Sequence, residues 1–245
     1  MTPVIHIGFL LFPNVTQLDL TGPAQVLSRV PGARVHLAWK TRDPVPTDVG
    51  FSICPTTTLD ECPPLDVLCV PGGMGIEALF EDAVVLDFLR HQGVQARWVT
   101  SVCNGSLVIG AAGLLDGYRS ACHWAWRSFL PRFGAISVEE RIVRDRNRIS
   151  GGGVTAGIDF ALALAAELAG DDVARRIQLT LEYDPQPPFD SGSPQAAGAE
   201  LVERVRTLQA PRLERLDALL ERAAQKSDSP VYLAATASSS RLNRS

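Results

Sequence analysis

Two stretches of this chain, Val4–Phe12 (VIHIGFLLF) and Leu65–Val70 (LDVLCV), are apolar without alternation. As strands they have no face to give to water, so each needs cover on both sides. Arg34–Trp39 and Arg97–Val102 read as further strands, and helical stretches separate them: Asp19–Val30, Ile76–His91 and Gly105–Leu115. Strands of this kind alternating with helices predict an α/β chain with a mostly parallel sheet between two helical layers. Val49–Thr58 reads as a hairpin, and Val138–Arg144 with Arg148–Ser150 as a second one turned at Asp145–Asn147. Ser120–His123 reads as strand, and Ala125–Phe133, Thr155–Ala169 and Asp172–Leu181 as helices. In the LDLTGP segment, Thr21 is the candidate N-cap and Pro23 an early helical residue.

The loops that follow three strands are Pro71-Gly72-Gly73, Cys103-Asn104-Gly105 and Ser150-Gly151-Gly152-Gly153. In open α/β sheets ligands gather at the carboxyl ends of strands, and glycine lets a backbone approach them closely. The chain is long enough to bury a full core, with 46% hydrophobic and 20% charged residues in 245. Residues 1–190 read as one domain, 191–226 as a C-terminal arm and an amphipathic helix entered through the proline-rich stretch Tyr183–Pro194 (YDPQPPFDSGSP), and 227–245 as a flexible tail. The arm and helix are expected to pack on the domain or on a dimer partner.

Several function classes are set aside. A net charge of −4 gives no electrostatic footprint for nucleic acid. No apolar run approaches the ~20 residues of a membrane span. Met1 leads directly into a strand without a secretory pattern, which predicts a cytoplasmic protein. Five cysteines without Cys-x-x-Cys spacing argue against a disulfide framework and against structural zinc. No other cluster has metal-ligand spacing, and no phosphate-binding glycine loop is present.

Cys103 stands where a strand turns into a helix. Free N–H groups at a helix start favour a thiolate, which is the logic of a nucleophile elbow. The alternative is a small buried residue, the reading given to Cys54, Cys62, Cys69 and Cys122. Gly73 is placed to donate an N–H to charge developing beside Cys103. Asp19 is either a proton-transfer partner of that thiol or a helix-start residue. His123, in SACHWAW, is either the base of a Cys–His pair or a packed histidine.

The segments IGFLLFPNVTQLDLTGP, LDVLCVPGGMGIEAL, VTSVCNGSLVIGAAGLLDG, CHWAW and ISGGGVTAGIDFALALAAEL, followed by LEYDPQPPFDSGSP, resemble the ThiJ/PfpI superfamily. The resemblance is closest to isonitrile (isocyanide) hydratases and runs from about Val4 to about Ala224. It implies a flavodoxin-like three-layer sandwich, a homodimer and no metal or organic cofactor. It further implies Cys103 as nucleophile and Asp19 as acid/base, with hydration of an isonitrile to an N-substituted formamide through a thioimidate. Asn104 stands beside the nucleophile where those hydratases usually carry threonine, which predicts reduced activity. Gly72, Gly73, Gly153, Val154 and Thr155 would bound the substrate. The alternatives within the superfamily are a thiol-redox or stress protein, a non-enzymatic small-molecule sensor, and a peptidase or glyoxalase. Regulators with such a sensor half carry a C-terminal helix-turn-helix, and no basic recognition helix is legible after Gly198.

Overall fold

Apolar runs that need cover on both faces receive it by lying side by side in one sheet. A computed structural model describes residues 3–227 of the chain. The strands are β1 (Ile5–Leu10), β2 (Ala33–Trp39), β3 (Val45–Pro46), β4 (Ser52–Ile53), β5 (Thr57–Thr58), β6 (Val67–Val70), β7 (Trp98–Val102), β8 (Arg119–Ser120), β9 (Ile136–Ser137), β10 (Ile142–Asp145) and β11 (Arg148–Gly151). The helices are α1 (Gln17–Leu27), α2 (Ile76–Leu79), α3 (Ala83–Gln95), α4 (Gly105–Ala111), α5 (Ala156–Ala169), α6 (Asp171–Thr180), α7 (Pro194–Ala197) and α8 (Ala199–Ser227). Seven strands form the main sheet in the order β10-β11-β7-β6-β1-β2-β5. Every pairing in it is parallel except β10 with β11, the hairpin turned at Arg146. The flavodoxin-like α/β expectation therefore holds.

The chain steps one way from β1 to β2, then returns past β1 and steps the other way through β6, β7 and β11. Right-handed crossovers then put the helices of the two directions on opposite faces. Accordingly α1 packs on α5 and α5 on α6, while α2, α3, α4 and the 3₁₀ segment Arg127–Phe133 form the other group. Ile7, Phe9, Leu10, Val67, Leu68 and Val99 fill the sheet between them, all essentially buried. Each fully buried side chain of this size stabilises the fold by about 1.5–3 kcal/mol.

The first helix starts earlier than its local sequence suggests. It begins at Gln17, so Thr21 and Pro23 lie inside it, and the Thr21 hydroxyl donates to Gln17 Oε1 (2.8 Å) rather than capping. Asp19 consequently sits in the first helical turn. The backbone divides into a unit ending at Pro188 and a second beginning at Phe189, which holds α7 and α8. The tail expected over 227–245 lies outside the described residues beyond Ser227. Among the described residues, no helix is long and apolar enough to cross a membrane.

Candidate active site

The direction of the chain reverses between β1 and β6, and ligands of open α/β sheets bind where that reversal opens a crevice. The segments leaving β1, β6 and β7 there carry Asp19, the Gly72-Gly73 pair and Cys103. Cys103 has a φ of 56°, left-handed for a residue with a side chain. Such a turn costs about 1–2 kcal/mol and persists only where its surroundings fix it. They do so here: Cys103 N–H donates to Gly151 O (3.0 Å), and Cys103 O accepts from His123 N–H (3.3 Å) and from the Ser106 hydroxyl (3.3 Å). The Asn104 backbone N–H meets the sulfur. The elbow expected from the strand-to-helix switch is therefore present.

Asp19 is completely buried. Its Oδ2 accepts the Gly72 N–H at 2.9 Å. Its Oδ1 is buried with no conventional hydrogen-bond partner among the described residues, and the Cys103 thiol is the side chain that interacts with the carboxyl. Burial raises the Asp19 pKa to about 7; the Gly72 N–H opposes this, and the charge of Asp48 adds to it. Burial, and then the Asp19 charge beside it, hold the Cys103 thiol well above the ordinary thiol range. A free thiolate favoured by the α4 dipole is thus not the resting form. Two groups that both resist ionisation stand side by side, and such a pair can exchange and deliver a proton.

The glycines make this closeness possible. A Cβ on Gly72 would lie 2.4 Å from Asn104 Oδ1 and 2.9 Å from Asp19 Oδ2. Gly73 has φ 147° and lies against the backbone of Asn14 to Thr16. Its N–H donates to Asn104 Oδ1 (2.8 Å), and Asn104 Nδ2 donates back to Gly73 O (3.4 Å). Asn104 precedes α4 but makes no capping bond to it, because its amide is committed to the glycine loop. Both the Gly72 and the Gly73 N–H groups are therefore engaged within the protein.

The third loop joins the elbow through Gly151, whose carbonyl holds Cys103. Beyond it Gly153 has open space where a side chain would be, Val154 is half-buried, and the Thr155 hydroxyl accepts from Arg141 (3.2 Å). His123 Nδ1 accepts the Ala125 N–H (3.3 Å), and burial lowers its pKa, so it is a neutral ring. It meets Cys103 through its backbone N–H. Cys122 is buried beside Ser106, and burial pushes its thiol up to about 12, so it is a neutral neighbour of Cys103. Ser106 and Asp48 are the site residues that sequence reasoning missed. A serine at the second position of a helix and an aspartate in a hairpin tip carry no local signal for either role.

Residues 6–167 match a family model described as the DJ-1/PfpI family. An isonitrile hydratase of Pseudomonas putida is 57% identical over 222 residues, covering 91% of this chain and 97% of its own. The crystal structure of a ThiJ/PfpI family protein from Pseudomonas syringae superposes with a TM-score of 0.86 at 45% identity, covering 89% of this chain and 90% of that one. The HTH-type transcriptional regulator GbdR of Pseudomonas aeruginosa is 31% identical over 187 residues, which is 73% of this chain but 50% of the regulator.

Proposed function

The chain belongs to the DJ-1/PfpI family, and from that membership we propose that it hydrates an isonitrile, R–N≡C, to the N-substituted formamide. The observation that carries this reading is the wholly buried Asp19 beside the left-handed Cys103, its Oδ1 lacking any conventional hydrogen-bond donor among the described residues. The 57% identity to the Pseudomonas putida hydratase supports the choice of substrate class.

The working form of the pair holds one proton. Asp19 delivers that proton to the isonitrile carbon while the Cys103 sulfur bonds to the same carbon. The product is a thioimidate, R–N=CH–S–Cys, with Asp19 now a carboxylate. Water then adds to the carbon, and Asp19 relays one of its protons to the nitrogen. As the C–S bond breaks, the new hydroxyl loses its proton to Asp19. The formamide leaves, and the pair regains its single proton. The Asn104 backbone N–H steadies negative charge on the sulfur throughout. Gly72, Gly73, Gly153, Val154 and Thr155 bound the reacting group, Gly72 and Gly73 by letting their loop close on Asp19, Asn104 and the Asn14–Thr16 backbone.

Incubation with a simple alkyl or aryl isonitrile is expected to yield the formamide. Rapid acid quench should trap a protein whose Cys103 peptide has gained the mass of the isonitrile. If no formamide forms and Cys103 instead takes up two oxygen atoms from peroxide, the thiol-redox reading replaces this one. If the chain only binds the isonitrile, the sensor reading does, in line with the similarity to the regulator.

Asn104 has a further consequence. Its amide occupies the Gly73 N–H, which a shorter hydroxyl would release toward the reacting centre. Asn104→Thr is therefore expected to raise turnover severalfold. It should also lower stability by about 1–2 kcal/mol through the lost bonds to Gly73. Steady-state rates with a urea titration check both, and a rate at or below that of the parent would remove Asn104 as a brake.

A further inference from the structure

The hairpin β3–β4 has no part in the mechanism above, yet it reaches the helix that carries Asp19. The residue preceding α1, Thr16, makes no capping bond with its side chain. The cap comes from elsewhere: the Gln17 N–H at the first helical position donates to Asp48 Oδ1 (3.3 Å). Asp48 N–H also donates to Val15 O (3.1 Å). Val15 bridges Thr47 on one side and Gly73 on the other, and Thr16 N–H donates to Gly72 O (3.0 Å). One backbone network thus joins the hairpin, the start of α1 and the glycine loop. Asp48 is exposed, and the Gln17 that it bonds stands two residues ahead of the buried Asp19.

We propose that Asp48 is a positioning residue for the Asp19–Cys103 pair, capping the turn that carries Asp19 and holding a second negative charge near it. A like charge nearby makes a buried carboxyl keep its proton longer, and the charge of Asp48 does raise the Asp19 pKa. Among the described residues, the titratable groups bearing on Asp19 are Asp48 from the hairpin and Cys103 from the elbow. The loop after β6 offers it only the Gly72 N–H. On α5, which packs on α1, Asp159 is paired with Arg141 (2.5 Å) and accepts the Tyr183 hydroxyl (3.0 Å). Cys122, beside Cys103, and His123 are both neutral.

The test follows two quantities against pH in the parent and in Asp48→Asn, which keeps the Oδ1 acceptor and removes the charge. The first is iodoacetamide alkylation of Cys103, resolved by peptide mass; the second is formamide production. A pair with two protons offers no nucleophilic sulfur, so both curves fall on the acid side where the second proton binds. In Asp48→Asn that acid limb should move to lower pH by roughly 0.3 of a unit, the size of an exposed charge acting through solvent. The difference between the proteins should shrink as salt is raised to ~0.5 M. Asp48→Ala should shift the limb likewise and in addition lower the melting temperature through the lost cap. Identical acid limbs in parent and Asp48→Asn, or a rate scaled equally at every pH, would reduce Asp48 to a structural cap and overturn the proposal. Its rate readout rests on the hydration reading, whereas the alkylation readout does not. A shifted alkylation limb without formamide would keep Asp48 in this role and remove the hydration reading alone.

Discussion

Cys103→Ala is expected to end formamide production, with a loss of roughly 10³-fold or more, the scale of deleting a covalent nucleophile. The same position should report strain independently of chemistry. Any residue with a Cβ at φ 56° carries the left-handed penalty, and glycine does not. Cys103→Gly should therefore unfold at higher urea than Cys103→Ala, by about 1 kcal/mol, although both are inactive. That ordering would mean that the fold holds its nucleophile in a turn it would otherwise relax. Equal midpoints would show that the contacts to Gly151, His123 and Ser106 leave no strain behind. Alanine turnover near the parent rate would remove the thioimidate route altogether.

What the sequence makes legible here follows from how local each signal is. β1 and β6 are read correctly because a run without a polar face can only be an interior strand, and Pro13 and Pro71 mark where they end; β7 is read from its β-prone residues and the helix opening at Gly105. The β10–β11 hairpin is legible from its turn residues. The opening of α1 is not, because its cap is a carboxylate thirty-one residues away in sequence, at Asp48. With no local cap before Gln17, Thr21 and Pro23 imitate a later start. The expected hairpin over Val49–Thr58 is displaced for a related reason. Val45–Pro46 pairs with Ser52–Ile53, while Thr57–Thr58 joins the edge of the main sheet beside Trp39. Two-residue strands have no periodicity to read. Likewise β8 stops at Ser120 and the expected helix from Ala125 is a 3₁₀ segment starting at Arg127.

At the site, the residue types were legible and their protonation was not. A cysteine at a strand-to-helix switch announces an elbow, but the sign of its pKa shift depends on burial and on Asp19, which come from elsewhere in the fold. The helix dipole argues for a thiolate. Seven residues of α4 supply less than the desolvation of a cysteine that is 7% exposed beside a buried carboxyl. His6 and His36 illustrate the same limit. Each looks incidental in its own strand, yet β1 and β2 bring Nδ1 of one within 2.9 Å of Nε2 of the other.

Asp19→Asn separates what this carboxyl does for chemistry from what it does to stability. Removing the proton donor should lower formamide production by about 10²–10⁴-fold, the usual scale for a general acid–base group. Stability should move the opposite way, and its pH dependence fixes the cause. The carboxyl titrates from its ordinary 3.8 to about 7 in the folded chain, so between those values the native state holds a proton that the unfolded chain has lost. Stability from this group is full below about pH 4 and is lost as pH rises through about 7. Above that, a charged carboxylate sits where solvent cannot reach it. Asparagine keeps an acceptor for the Gly72 N–H and never ionises. The variant should match the parent near pH 4 and exceed it at pH 8 by of order 2–4 kcal/mol, the range set by a carboxyl raised from 3.8 to about 7 less the imperfect partners of the amide. Urea titrations of both proteins at the two pH values measure it. A variant less stable at pH 8, or a gap of the same size at pH 4, would mean that Asp19 is ionised and well satisfied in the fold, and it could not then give its proton to an isonitrile carbon.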